Sequence, residues 1–290
     1  MAELVQLLSS GLTTGAVYAL VALGFTLVFQ ASEVVNFAQG EFVMLGGMIT
    51  VFAFKAGLPL PLAALLAVAV AVVTGLLLHR LAIEPAKGAT VVTLIIVTIG
   101  ASILLRGLAQ IFFDKQFHAL PAFTGDEAFR LLGAAILPQS LWVLGGAAAI
   151  VLGLWLFMER TLLGKAVRAT AANRLAAELV GIDTRLVLAL AFAVSAAIGA
   201  MGGILVTPIT LTSYAVGTLL ALKGFAAAML GGIGNPVGAV LGGLLLGLLE
   251  AFAAGWISST YKDGVAFVVI LLVLFALPQG LLGRRAVERV

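Results

Sequence analysis

Residues 31–47, ASEVVNFAQGEFVMLGG, set Glu33, Asn36, Gln39 and Glu41 between two strongly apolar segments. Side chains of these types in such a place can do one of two things. With the free amides of a broken helix they can line a polar route, because irregular backbone at membrane depth survives only against protein or water. Alternatively they form an ordinary turn between two helices, with Asn36 capping the second. Arg106, Lys223 and Glu250 pose a similar question, since each lies within an apolar run. A charge in hydrocarbon costs about 2.5–3.5 kcal/mol even on a lenient insertion scale, so it faces a cavity or a partner. For Arg106 and Lys223 the plain alternative is snorkelling to a surface. For Glu250 it is a buried ion pair with Lys223 or Arg106 that fixes helix packing. Asn36, Gln39, Glu41, Lys223 and Glu250 are the candidates for a polar path.

Catalytic chemistry finds no footing. His79 and His118 are the only histidines and there is no cysteine, so neither a zinc hydrolase nor a thiol nucleophile can be built. TLLGKA (161–166) resembles the end of a phosphate-binding loop, but no glycine stands five residues before Gly164 and Ala166 replaces the magnesium-binding hydroxyl. Ser195 and Ser258 lack a His–Asp partnership. The expectation is a chain that is not an enzyme and carries no cofactor or metal.

The elements that must hold these residues are transmembrane. Of 290 residues 62% are apolar and 10% charged, against roughly 45–50% and 25% in soluble domains. Mean hydropathy is +1.22. These values predict an all-α polytopic helix bundle; a barrel would show alternating segments of about ten residues instead. The net charge of +3 is better placed in basic cytoplasmic loops than on nucleic acid. MAELVQLLSS lacks a basic start before its apolar run, so the first helix is expected to be retained. Apolar runs predict spans near 5–29, 40–54, 60–79, 90–113, 136–157, 186–206, 217–233, 237–255 and 264–282: nine in the working reading, eight to ten allowing for short ones, in a single permease-like domain over 1–290. Arg80, Lys87, Arg160, Lys165, Arg168, Arg174, Arg185, Arg284, Arg285 and Arg289 then share one side. Only Lys55, Lys115, Arg130 and Lys262 take the other. By the positive-inside rule the N-terminus is outside and the C-terminus in the cytoplasm.

Two further features stand out. The loop 158–185 is rich in helix formers, and Leu175, Leu179 and Ile182 fall on one helical face, with Gly181 as a stop. It predicts a short amphipathic helix that docks on a partner or lies on lipid. Gly234-Asn235-Pro236 is a breaker, after which Gly238/Gly242 and Gly243/Gly247 are small-xxx-small pairs suited to close helix crossing. Interruptions near 31–47 and 231–238 leave room for an internal repeat.

GLTTGAVYALVALGFTLVFQ followed by VNFAQGEFVMLGG resembles the opening of LivH-type permeases, membrane subunits of ABC importers for branched-chain amino acids. LKGFAAAMLGGIGNPVGAVLGGLLLGLLE is similar to that family's second signature, and RATAANRLAAELVGID to its cytoplasmic loop. The resemblance spans nearly the whole chain. It implies a multi-pass subunit of a bacterial inner membrane, with a second permease (LivM-like or another copy), two cytoplasmic ATPases that use the ATP, and a periplasmic solute-binding protein. It implies that Leu175, Ala176, Ala177, Leu179 and Gly181 belong to a coupling helix on the ATPase. Leu175 departs from the family's Glu-Ala-Ala-x-x-x-Gly pattern, which puts the glutamate's contact in doubt. The polar stretch 31–47 would then lie near the translocation path, where Asn36, Gln39 and Glu41 could bond a zwitterion. Similar permeases carry urea, amides or sugars, and an ion-coupled carrier using Glu250 with Lys223 is the alternative from another class.

Overall fold

The computed structural model describes residues 2–86, 88–125 and 127–283. Its elements run α1 (Ala2–Ser32), α2 (Gln39–Lys55), α3 (Leu60–Leu78) continued by a π-helical turn (His79–Ile83), α4 (Val91–Phe113), β1 (Phe129–Leu131), β2 (Ala134–Ile136), α5 (Pro138–Arg160), α6 (Leu162–Ala172), α7 (Arg174–Leu179), α8 (Thr184–Thr210), α9 (Val216–Gly231), α10 (Pro236–Trp256) and α11 (Lys262–Ala276). β1 and β2 form an antiparallel hairpin with Phe129 opposite Ile136.

Most of these helices are apolar on every face, which suits burial in protein or lipid. Their starts use the residues expected at helix N-termini. Pro138 and Pro236 occupy the first helical position, where a missing N–H costs nothing. The Asn235 side chain accepts from the amides of Val237 and Gly238 at 3.0 and 3.1 Å, and Asp183 accepts from those of Arg185 and Leu186. α1 is the axis of the bundle: it packs most extensively on α10, and also on α8 and α9. α2 packs on α8, α3 and α9. Much of α3, α4 and α5 is outward-facing, with Leu65, Ile103, Leu104 and Leu152 exposed. Such a surface requires lipid or a second membrane subunit against it.

Among the described residues six helices are long and apolar enough to cross a membrane: α1, α3 with its π turn (Leu60–Ile83), α4, α5, α8 and α10. The expected nine spans are therefore corrected to six. The physical reason is length. α2, α9 and α11 have 17, 16 and 15 residues, or about 22–26 Å at 1.5 Å per residue, short of a hydrocarbon core of about 30 Å. Of the basic residues that argued for sidedness, Lys87, Arg284, Arg285 and Arg289 lie outside the described residues. The ends of the bundle are still defined by contacts. Gln6 accepts from the Ala135 amide near one end, while Gln30 donates to the Gly234 carbonyl and Asn235 to that of Leu282 near the other.

The loop 158–185 also differs from expectation. It holds two helices, α6 and α7, because Asn173 leaves helical geometry at φ −161° and caps α7 by accepting from the Ala176 amide at 2.9 Å.

Candidate functional site

The five candidate path residues fall into two separate buried groups. The first lies where the chain turns back after α1. Gln39, the first residue of α2, sits against Gly24, eight residues before Ser32. Residues 33–38 form the connecting segment, with Val34, Asn36 and Ala38 buried and Glu33 exposed. Its backbone polarity is met by side chains. Thr98 of α4 accepts from the Phe37 amide at 3.2 Å, and the Asn36 side chain accepts from that of Ala38 at 3.1 Å. Asn36 thus serves the segment ahead of the helix and does not cap α2, whose cap residue Ala38 has no side-chain bond.

Gln39 is wholly buried and bonded at both ends of its amide. Its Nε2 donates to the Ser195 carbonyl at 3.2 Å, its Oε1 accepts from Ser195 Oγ at 2.5 Å, and it fills the space that Gly24 and Gly199 leave open. It ties α1, α2 and α8 together. Glu41, also buried, accepts through Oε1 from Ser102 Oγ at 2.8 Å, with Arg106 Nε at 3.9 Å. Two atoms in this group have no protein partner, Asn36 Nδ2 and Glu41 Oε2. A buried donor and a buried acceptor left open mark a place where water or a ligand is expected to bond.

The second group is the ion pair foreseen for Glu250. Lys223 is 4% exposed, and its Nζ lies 2.8 Å from Asp263 Oδ1, 2.9 Å from Glu250 Oε1 and 2.9 Å from Tyr18 Oη. Tyr18 in turn donates to Glu250 Oε2 at 2.7 Å. One ammonium thus binds α1, α9, α10 and α11 into a polar knot. Tyr18 and Asp263 were not found from the sequence. Asp263 follows Lys262 next to a predicted span boundary, where a carboxylate reads as a loop residue, and Tyr18 carries no charge to draw notice.

The packing glycines divide by neighbour. A Cβ on Gly238 or Gly242 would collide with the carbonyls of Gly231 and Ala227 on α9. One on Gly243 or Gly247 would collide with the backbone of Ala19 or Gly15 on α1. The two pairs let one helix, α10, touch two others backbone to backbone.

In the loop 158–185, Leu175, Leu179 and Val180 are exposed, and so is Ala176, whereas Ala177 is buried against the fold. Gly181 turns the chain at φ 87°. Glu178 accepts from Thr184 Oγ1 at 2.6 Å and from Arg174 Nε at 3.3 Å. These two bonds, the hydroxyl's first, hold its carboxyl below the usual range.

A family model described as a branched-chain amino acid transport system permease component matches residues 7–274. The chain belongs to this family. The permease is 36% identical to the high-affinity branched-chain amino acid permease BraD of Pseudomonas aeruginosa over 98% of this chain and 97% of that protein. It is 34% identical to LivH of Escherichia coli K12 over the same shares. The ribose import permease RbsC of Haemophilus influenzae is 27% identical over 90% of this chain and 81% of its own. In fold it is similar to the solved PsaBC of Streptococcus pneumoniae in complex with Fab, at a TM-score of 0.50 and 16% identity, covering 96% of this chain and 93% of that one. The permease is a multi-pass membrane protein and a transport subunit rather than an enzyme.

Proposed function

We propose that this permease forms the membrane path of an ABC importer for branched-chain or related amino acids, delivered by a periplasmic binding protein and driven by separate ATPases. The observation that carries the reading is the apolar surface of α7. Leu175, Leu179 and Val180 stand exposed outside the apolar helices, within a segment rich in cations, Arg160, Lys165, Arg168, Arg174 and Arg185. Such a surface needs a cover, and the family supplies one in the ATPase. The same cations favour a cytoplasmic position for this end of α5 in the inner membrane. Coupling falls to Leu175, Ala176 and Leu179 on the exposed face, with Ala177 and Gly181 shaping the helix beneath.

The path belongs beside residues 33–38, read as a re-entrant segment, at the interface with a second permease, LivM-like or another copy. Asn36 and Glu41 each keep one open polar atom for a passing ammonium or carboxylate. Lys223 and Glu250 would take part only if their mutual bonds opened, and an ion-coupled carrier would have no free carboxylate there. Sugar permeases share the architecture more distantly, and amino acids are the cargo named for the relatives of higher identity.

The test is a gentle-detergent pull-down of this subunit from its native membrane, with mass spectrometry of what accompanies it. An ATPase and a second permease are expected. Ala176→Trp should release the ATPase while the two permeases stay paired. Recovery of the chain alone and transport-competent would overturn the reading.

A further inference from the structure

A groove of about 910 Å³ runs between α1, α5 and α10, walled by Ala19, Leu23, Ala148, Val151 and Leu241. From Leu144 to Glu159 it follows α5 over sixteen residues, or about 22 Å at 1.5 Å per step, more than half of a hydrocarbon core of about 30 Å. Its far end changes character abruptly. Gln30, Glu159 and Arg168 line it there, and Arg168 is ion-paired to Glu159. Arg160, the last residue of α5, and Lys165, three residues before Arg168 and so on the same face of α6, are exposed beside this rim, which sets three cations near one carboxylate. Trp155, half exposed, lies one turn of α5 short of this corner, the position an indole takes at the level of lipid headgroups.

We propose that this groove is a binding site for one phospholipid with an anionic headgroup. The acyl chains lie along α1, α5 and α10, and the phosphate meets Arg168, Arg160 and Lys165. The division of the site argues for a lipid over a protein helix. Its apolar length ends in a basic rim at the depth where headgroups lie, and basic pockets between membrane helices favour anionic lipids. A helix from another subunit would need apolar surface throughout and would leave the excess positive charge without a counterion. The site is independent of the transport reading, because it needs only that the bundle lies in a bilayer.

Native mass spectrometry of the assembled complex, released from mild detergent, tests this directly. Phosphatidylglycerol and phosphatidylethanolamine are added at equal concentration. One lipid should stay on each copy of this chain, with phosphatidylglycerol preferred by about tenfold. Ala148→Trp, at an exposed position of the wall, should lower retention at least tenfold, and Leu241→Trp should do the same from the opposite wall. Arg168→Gln combined with Lys165→Gln should abolish the preference for phosphatidylglycerol while leaving lipid bound. Unchanged retention in both Trp variants would overturn the proposal. So would a cross-link from Ala148→Cys, a unique thiol in a chain without cysteine, to a second permease subunit, which would show protein in the groove.

Discussion

At the level of single residues, two polar side chains three positions apart have different work. Gln39 bonds through both its amide nitrogen and its oxygen inside the bundle and fills the hollow beside Gly24. Truncating it leaves a cavity and removes two buried bonds, so Gln39→Ala should cost stability, about 1–3 kcal/mol at about 0.5–1.5 kcal/mol for each bond. Asn36 keeps an amide nitrogen open. Asn36→Ser keeps a side-chain oxygen that can hold the Ala38 amide, as serine does in such turns, and removes that donor without burying a charge. It should slow uptake while thermal unfolding in detergent stays near wild type, and an equal loss of uptake and stability would place Asn36 with Gln39. Lys223 offers the sharper stability test. Removing one partner of a buried ion pair costs about 3–5 kcal/mol, because the other charge is left uncompensated. Lys223→Met should therefore lower the unfolding temperature markedly, and adding Glu250→Gln should restore part of it. No restoration would mean that Glu250 is not the stranded charge.

At the level of elements, α10 depends on glycine on two of its faces. A side chain at Gly247 has no room against the Gly15 backbone, and overpacking of this kind costs about 1–3 kcal/mol or more. At Gly145 on α5, by contrast, a methyl group would have open space on every side out to 4 Å, and a helical Gly→Ala change there gains about 0.5–1 kcal/mol. Gly247→Val should lower the unfolding temperature of the purified protein, and Gly145→Ala should raise it slightly. α7 responds to acid. Glu178 has a lowered carboxyl pKa, so its bonds to Thr184 and Arg174 add stability that is complete above the ordinary glutamate value of about 4.3 and is lost as pH falls through the lowered one. Hydrogen exchange of the α7 amides, corrected for intrinsic rate, should quicken below about pH 4; a flat profile would show that Glu178 does not anchor α7.

Much of this layout was legible in the sequence. The run expected at 217–233 is the helix Val216–Gly231, and that at 60–79 is Leu60–Leu78. What hydropathy did not distinguish was a helix that crosses from one that stops short. The run 264–282 ends as a helix at Ala276, two residues before Pro278, yet its apolarity continues. The stretch 31–47 was visible as an anomaly of polarity, but the place Gln39 takes depends on Gly24 and Ser195, which nothing local connects to it. The hairpin at 129–136 was missed because three-residue strands carry too little pattern, although Leu132-Gly133, both at positive φ, mark its turn.

For the whole molecule, the order of elements along the chain sets the order in which the bundle can close. The most extensive helix contact joins α1 to α10, the first element to one near the end. At about 5–20 residues per second, roughly ten to fifty seconds pass between the synthesis of α1 and that of Trp256. Throughout that interval Gly11 and Gly15, which later meet Leu248 and Leu244, have no neighbour of their own. Nor can the ammonium of Lys223 find Glu250 until α10 follows α9 into the bilayer. The growing chain thus holds its central helix in waiting, and a chain broken off before Pro236 would lack the partner around which the rest is built.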